Sequence, residues 1–412
     1  MSMCLSNALD LVSSRVVDHH KRVAYIACSI AAEMGMPEDE REVLMLAGLL
    51  HDIGAISARD RIETLQFELE NPDFHAELGY RFIRTFDLFL DVAQLVRFHH
   101  VPWDNGRGGS RLGQPVPDSS HVLHLADRIA VLIDKKREIL CQTDRIKKAI
   151  RCGSGSKFVP EYVDAFIRLS EKESFWFDTV SPAISDILKA MTGTSSIVLT
   201  YDLLHGMIKL FGRIIDFRSR FTATHSSGVA ATASALARMA GMKRSDCDVM
   251  RIAGYLHDLG KLAVPAEILE KPGRLSVAET NIVKNHPYHT YRIIGTVRGL
   301  DTINQWASLH HECIDGRGYP FHHCGDEISL GSRIMAVADV FTALSEDRPY
   351  RPGMSRHDAL QTMQTMAGRS ALDGDLVSLV GRRYGEINAM RVASQTEESG
   401  EYEEFGAGLS QA

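Results

Sequence analysis

Two adjacent residues that can bind a metal ion, His257 and Asp258, follow an apolar helical segment of the sequence. Consecutive helical side chains point about 100° apart, so both can reach one cation only at a helix end. Gly260 indicates such an end. A buried imidazole or carboxylate destabilises a fold unless it is paired, hydrogen-bonded or bound to a metal. An isolated pair of this kind would favour a helix cap and a turn, but similar residues recur along this chain.

The potential ligands occur twice, in the same order. Equivalent residues are separated by 206 positions at His19 and His225 and by 212 positions at Asp127 and Asp339, so only small insertions intervene. A repeat of this kind predicts two copies of one domain. The first series is His19, His51, Asp52, His75, His99, His100, Asp104 and Asp127, and the second is His225, His257, Asp258, His286, His310, His311, Asp315 and Asp339.

The elements that must position these residues are helices. Apolar residues recur at helical spacing over most of the chain, and the alternation typical of strands is nearly absent. We therefore expect an all-α fold of two tandem helical bundles, at 1–190 and 191–392, joined by a long amphipathic helix at about 197–217. Residues 393–412 are polar and acidic, which predicts a disordered tail.

Composition limits the class of protein. The 412 residues have a net charge of −7, and five acids lie in the last sixteen residues, so the body of the chain is nearly neutral. This argues against a nucleic-acid polymer or a membrane as the partner. No apolar run reaches about 18 residues, and the start of the chain lacks the pattern of a signal peptide. Seven cysteines without a C-x-x-C pair are typical of reduced thiols, and we expect a cytoplasmic protein.

The second series exceeds what one cation needs. Apart from Asp315, it offers five imidazoles and two carboxylates, which suit two cations bridged by one carboxylate and a solvent molecule. Asp339 lies in an otherwise apolar helical segment, where a lone carboxylate is expected to be a ligand. His310 and His311 open the run HHECIDGRGYP, which is far more specific than a pair of histidines alone.

The order H … HDxGK … H … HHExxDGxGYP … D, followed by Arg348-Pro349-Tyr350-Arg351, resembles the HD-GYP family of bacterial cyclic-dinucleotide phosphodiesterases. The resemblance covers about 191–390, and residues 1–190 resemble a second, divergent HD domain. It implies two tandem HD-type helical bundles, a centre of two or three metal ions, and hydrolysis of cyclic di-GMP to the linear dinucleotide pGpG and often on to GMP. Some members prefer 3′,3′-cyclic GMP-AMP, which stays open as the alternative substrate.

The resemblance also implies roles for residues of the second copy. His257, Asp258 and Lys261 are expected to form the catalytic set, with Asp258 bridging the ions. The implied metal ligands are His225, His257, Asp258, His286, His310, His311 and Asp339. The implied substrate contacts are Lys261, Asp315, Gly318, Tyr319, Pro320, Arg348 and Arg351. Structural roles for the two arginines, and a loop-shaping role for Tyr319 and Pro320, stay open.

The implied chemistry agrees with general principles. Divalent ions lower the pKa of a bridging water towards neutrality, which yields a hydroxide for attack on phosphorus. The ions and Lys261 would stabilise the charge that develops on the phosphoryl oxygens. Phe221 stands where some family members have a Glu that binds a third metal, so we expect two ions. Iron or manganese is expected first, with nickel or zinc as alternatives, because His/Asp sites bind all four.

The first copy retains the ligand types and loses the groups that would bind phosphate. Its candidate second metal site consists of His19, His51, Asp52, His75, His99, His100 and Asp127. Ala55 replaces the Lys, Val101 replaces the Glu, and Gly108-Gly109-Ser110 replaces the GYP run. This favours a metal-bound site with a regulatory or structural role, and a metal-free remnant or an independent phosphohydrolase are the alternatives.

Other classes of function stay open at this point. Tandem HD-type domains can serve as a non-catalytic receptor or scaffold for a cyclic dinucleotide, and wider relatives act on mononucleotides. The complete second ligand set, Lys261 and the GYP run argue against both. The helix expected at about 197–217 could couple the two copies or pair two chains in a homodimer, because an apolar stripe supports either role.

Overall fold

The structure, a computed structural model, describes residues 18–55, 72–111, 113–191, 224–271, 273–347 and 352–407, together with 206, 208 and 212. Apart from one two-stranded hairpin, the regular structure in these ranges is helical, which confirms the all-α prediction. Within the same ranges, no helix combines the length and apolar character that a membrane span requires. The linking helix expected at 197–217 falls outside the described residues, except for the helical positions 206, 208 and 212.

The chain divides into two compact units, residues 1–198 and 199–412. In the first unit, short 3₁₀ turns lie at Asp87–Phe89, Asp104–Gly109 and Leu140–Gln142. The hairpin pairs Ser110 with Pro115 in antiparallel register. The helices and strands are α1 (His19–Glu33), α2 (Glu38–Leu50), α3 (Pro72–Ile83), α4 (Leu90–Arg97), β1 (Ser110–Arg111), β2 (Gln114–Pro115), α5 (Asp118–Val131), α6 (Thr143–Cys152), α7 (Pro160–Ser170), α8 (Glu173–Thr179) and α9 (Ile184–Met191).

The second unit repeats the order of the ligand-bearing helices. It has 3₁₀ turns at Leu259–Ala263 and Gly325–Glu327. Its helices are α10 (His225–Met239), α11 (Arg244–Leu256), α12 (Ala266–Leu269), α13 (Val277–Val283), α14 (His286–Ile294), α15 (Asp301–Ser308), α16 (Leu330–Ser345), α17 (Arg356–Gly368) and α18 (Gly374–Ala407).

The first two ligand-bearing helices of each unit pack at very short range. A Cβ atom added to Gly254 of α11 would lie 2.5 Å from Cα of Ala230 in α10, and one on Gly48 of α2 would lie 2.6 Å from Cα of Ala24 in α1. Only glycine permits this approach. The approach brings the His-Asp pair at the end of one helix close to the His at the start of the other.

Helix α16 carries Asp339 through the core of the second unit. Its residues Ile334, Met335, Val337 and Phe341 are fully buried, which explains why the helix is apolar around most of its circumference. Ser329 caps its start by accepting a hydrogen bond from the backbone N–H of Ser332. The carboxylate is therefore presented from a rigid, buried element.

The final helix corrects one expectation. The sequence predicts a disordered tail at 393–412, whereas α18 continues through Ala407, and 408–412 lie outside the described residues. Ser394 Oγ donates to the carbonyl of Ser227 (3.2 Å), and Gln395 Nε2 donates to the carbonyl of the residue before α10 (3.2 Å). Polar side chains at the start of the segment thus bond to α10, and acidic composition alone does not register such contacts.

Candidate metal centre

The seven predicted ligands of the second unit come together at one place. His225, His257 and Asp339 form one group, in which one ligand atom from each residue lies within 4.8 Å of the others. A second group by the same measure contains His286, His310 and His311, and a third contains His257, Asp258 and His310. Helix ends and the turns that follow them supply these side chains, except for Asp339, which lies within α16. The first two of these groups resemble two adjoining sites that offer three ligands each.

Asp258 lies between the first two groups. Its Oδ2 is 3.1 Å from Nε2 of His257, and its Oδ1 is 3.3 Å from Nε2 of His286. One carboxylate therefore faces an imidazole of each group, which is the arrangement expected of a ligand that bridges two cations. The ammonium group of Lys261 contacts the same Oδ2 at 2.5 Å, so a positive side chain borders the centre.

Backbone carbonyls orient three of the imidazoles. Nδ1 of His257, His286 and His310 lies 2.6, 2.8 and 2.7 Å from the carbonyl oxygen three residues earlier. A carbonyl only accepts, so Nδ1 carries the proton and Nε2 presents its lone pair to the centre. Nε2 of His257 is buried and, although it lies 3.1 Å from Oδ2 of Asp258, makes no hydrogen bond among the described residues. A metal ion would satisfy this atom, and the imidazole and carboxylate donors fit divalent first-row metals.

Burial and charge set the protonation states of the ligands. Burial lowers the pKa of His286 to about 3 and that of His310 to about 4, so both imidazoles are neutral and able to bind a metal. Burial raises the pKa of Asp258, but the neighbouring His257 and Lys261 outweigh it and hold that pKa well below its usual range. Asp258 is therefore ionised.

His225 has a partner that the sequence analysis missed. Its Nε2 lies 3.2 Å from Oδ1 of Asp339, and its Nδ1 lies 3.0 Å from Oε1 of Glu346. Burial lowers the pKa of His225, but Glu346 and Asp339 outweigh it and raise the pKa to about 10. The spacing in the sequence could have indicated this partner. Glu346 follows Asp339 by seven residues, which is about two helical turns, so the two residues are expected on one face.

A second residue missed by the sequence analysis, Thr290, holds the His-Asp turn in place. Its hydroxyl donates to the carbonyl of His257 (3.1 Å) and accepts from the backbone N–H of Gly260 (2.9 Å). A Cβ atom on Gly260 would lie 1.9 Å from the carbonyl oxygen of His286, so the turn packs directly on the backbone of α14. No sequence signal distinguished Thr290 from other helical threonines.

The loop formed by the run HHECIDGRGYP (310–320), here called the signature loop, packs against the centre through Tyr319. The ring of Tyr319 stacks on the ring of His311, with centroids 4.8 Å apart. Buried Glu312 holds the loop by accepting a hydrogen bond from the backbone N–H of Phe321 (2.7 Å). A Cβ atom on Gly318 would lie 2.4 Å from Cα of Glu312, so the loop closes tightly. Pro320 follows Tyr319 in the same loop.

Of the other predicted substrate contacts, the structure describes Asp315 but neither of the two arginines. The carboxylate of Asp315 is paired with Arg317, whose Nε lies 2.7 Å from Oδ2, so Asp315 stabilises the loop internally. Arg348, Arg351 and Phe221 lie outside the described residues. Beside the loop is a cavity of about 630 Å³ lined by Tyr291, Asp301, Thr302, Asn304, Gln305, Leu309, Phe321 and His323.

The first unit assembles its predicted ligands in a similar way. Asp52 again lies between two imidazoles, with Oδ2 3.4 Å from Nε2 of His51 and Oδ1 3.5 Å from Nε2 of His75. Nε2 of His19 lies 3.2 Å from Oδ1 of Asp127. Two groups of converging ligand atoms result: one contains His19, His51 and Asp52, and the other contains Asp52, His75, His99 and His100.

Known proteins are similar to this chain in sequence and in fold. Residues 157–376 and residues 16–132 each match the HD domain family. The 3′3′-cGAMP-specific phosphodiesterase 1 of Vibrio cholerae serotype O1 is 29% identical over 404 residues, which is 96% of this chain and 94% of that protein. A cyclic di-GMP phosphodiesterase of Pseudomonas aeruginosa is 40% identical over 149 residues, 36% of each protein. The crystal structure of a cyclic GMP-AMP-specific phosphodiesterase from V. cholerae matches 96% of both chains, with 26% identity and a TM-score of 0.66.

The similarity extends along nearly the whole chain and includes both units. The first family match spans more than half of the residues, and the second contains every predicted ligand of the first unit. The chain therefore belongs to the HD domain family, with two HD domains in tandem, and is homologous to HD-GYP-type phosphodiesterases of the same arrangement.

Proposed function

We propose that this protein is a metal-dependent phosphodiesterase that hydrolyses a cyclic-dinucleotide second messenger at the centre in its second unit. The observation that carries the proposal is the position of Asp258 between two groups of imidazoles, with Lys261 beside it. A buried cluster of this composition suits two divalent ions, and a cation next to it suits a phosphate. Iron or manganese is the proposed metal, and two is the proposed number of ions.

The substrate proposal is cyclic di-GMP, with pGpG and then GMP as products. The named activity of the relative from P. aeruginosa supports it, over 149 residues at 40% identity. The alternative is 3′,3′-cyclic GMP-AMP, which the names of the V. cholerae phosphodiesterase 1 and of the V. cholerae protein of known structure favour over nearly the full length of the chain. Both compounds present the same phosphodiester to the centre.

The residues of the chain have separate tasks in this reaction. When bound, the divalent ions supply Lewis acidity and lower the pKa of a water that attacks phosphorus. Ionised Asp258 and the neutral imidazoles of His286 and His310 hold the ions. Lys261 offers a fixed positive charge to the phosphoryl oxygens as negative charge develops on them. Tyr319 holds the ring of His311 by stacking.

The remaining assignments are part of the same proposal. Residues 191–392 form the catalytic domain, and residues 1–190 form a regulatory domain that lacks a counterpart of Lys261. Among the substrate contacts, Lys261, Gly318, Tyr319, Pro320, Arg348 and Arg351 are retained, and Asp315 acts by stabilising the loop. The cytoplasmic location and the pairing of two chains stay predictions from the sequence.

A side-by-side assay of both substrates with Mn²⁺ or Fe²⁺ tests the proposal. We expect the wild type to form product, the His257→Ala/Asp258→Ala variant to be inactive, and the matched His51→Ala/Asp52→Ala variant of the first unit to stay active. The compound that reacts faster is the substrate. If the wild type converts neither compound with either metal, the enzyme proposal is wrong, and a non-catalytic receptor is favoured instead.

A further inference from the structure

A buried arginine distinguishes the first cluster of ligands from the second. Arg128 is 3% exposed, and its Nε and Nη2 atoms lie 3.1 and 2.5 Å from Oδ2 of Asp127. The equivalent position after Asp339 in the second unit is Val340. A guanidinium is always charged, so the first cluster contains a permanent positive charge at a place where the second has an apolar side chain.

This charge lies beside Asp127, which is the counterpart of Asp339. In the second unit, Asp339 converges with His225 and His257 as one group. In the first unit, His19, His51 and Asp52 converge, and Oδ1 of Asp127 lies 3.2 and 3.7 Å from Nε2 of His19 and His51, but Oδ2 of Asp127 is held by the buried guanidinium of Arg128. A divalent ion placed there would also meet the repulsion of the nearby guanidinium. Arg128 therefore balances the carboxylate that an ion balances elsewhere.

The other half of the first cluster is complete. Asp52, His75, His99 and His100 present four ligand atoms within 4.8 Å of one another. Nδ1 of His99 donates to the carbonyl of Val96 (2.6 Å), so its Nε2 offers a lone pair. That Nε2 atom is buried without a hydrogen-bond partner among the described residues. Three imidazoles and a carboxylate are a sufficient set for one divalent first-row cation.

We propose that the first unit binds a single divalent metal ion through Asp52, His75, His99 and His100, and that the guanidinium of Arg128 replaces the second ion beside Asp127. The two copies thus differ in the number of ions they hold. This proposal does not depend on the phosphodiesterase activity of the second unit, because it concerns only the ligands and charges of the first.

Counting metal ions in the full-length protein tests this proposal. Wild type and variants are loaded with excess Mn²⁺, desalted and analysed by inductively coupled plasma mass spectrometry. His99→Ala/His100→Ala is expected to contain one ion fewer per chain than the wild type. The isosteric Asp52→Asn is expected to lose the same single ion, and it guards against a fold defect in the double variant. A loss of two ions, or no loss in either variant, overturns the single-ion assignment.

A separate variant tests the role of Arg128. Arg128→Val reproduces the residue of the second unit and frees Oδ2 of Asp127. We expect this variant to bind one ion more than the wild type, and to show in its electron paramagnetic resonance spectrum an additional exchange-coupled Mn²⁺ pair. An unchanged ion count overturns the assignment of Arg128 as the replacement for an ion. Neither readout requires turnover of any nucleotide.

Discussion

The imidazole of His225 is held between Asp339 and Glu346, with Nδ1 3.0 Å from an oxygen of Glu346 and Nε2 3.2 Å from an oxygen of Asp339. Gln395 in turn donates a hydrogen bond to Glu346 (3.2 Å). A carboxylate behind a metal-binding imidazole fixes its tautomer and raises its basicity. Glu346 is therefore a positioning residue for the first ligand of the centre.

Removing this carboxylate should weaken metal binding. We expect Glu346→Ala to reduce Mn²⁺ affinity by roughly 10- to 100-fold, because His225 loses the partner that orients it. Glu346→Gln should retain part of the Mn²⁺ affinity, since the amide oxygen of Gln can still accept a hydrogen bond from Nδ1 of His225. Titration with Mn²⁺ measures the change, and exposed Glu327→Ala is the matched control. Equal affinities for wild type and Glu346→Ala would exclude this role.

Lys261 should affect the chemical step more than metal binding. Its ammonium group borders Asp258 from the side, and a charge aimed at developing negative charge typically contributes a factor of about 10²–10³ to kcat. We expect Lys261→Met to lower kcat by a factor of this order and to retain its metal content. The comparison with Lys271→Met, on a surface ion pair with Glu279, controls for loss of charge. Loss of metal in proportion to activity would instead make Lys261 a structural residue.

Thr290 should contribute to stability through the His-Asp turn. Thr290→Val leaves the buried N–H of Gly260 without its acceptor, which costs roughly 1–3 kcal/mol. We expect a lower melting temperature of the second unit in differential scanning calorimetry. Thr296→Val is the matched control, because Thr296 is exposed just after α14 and its hydroxyl donates to the carbonyl of Ile293. A shift as small as that of the control would show that the turn does not depend on Thr290.

Tyr319 should act through its ring. Because the ring stacks on His311, Tyr319→Phe retains the contact and Tyr319→Ala removes it. We expect Phe to preserve metal affinity and kcat, and Ala to lower both severalfold. Mn²⁺ titration and steady-state kinetics on the two variants measure this. If Phe and Ala are equally impaired, the hydroxyl is the functional group, and a hydrogen bond from this hydroxyl replaces stacking of the ring as the explanation.

The sequence predicted which histidines and carboxylates converge, because these residue types are conspicuous in apolar helices and because the series occurs twice. It also predicted the helical fold, since the apolar spacing is regular in both copies. The sequence did not predict roles for Glu346 and Thr290. A Glu at a helix end and a Thr within a helix are both ordinary, and only tertiary contacts give these two residues a role. Arg128 escaped for a similar reason, since an Arg beside an Asp is usually an exposed pair. The helical segment after 393 escaped because composition does not report contacts made by Ser394 and Gln395.

The most direct test of the central claim is the turnover of cyclic di-GMP and 3′,3′-cyclic GMP-AMP by Asp258→Asn, compared with Asp52→Asn and with wild type. Asparagine keeps the shape of the side chain and removes the charge that faces both imidazole groups. The proposal predicts that Asp258→Asn forms no linear product from either compound, while Asp52→Asn retains turnover. Full activity in Asp258→Asn, or loss of activity only in Asp52→Asn, would contradict it.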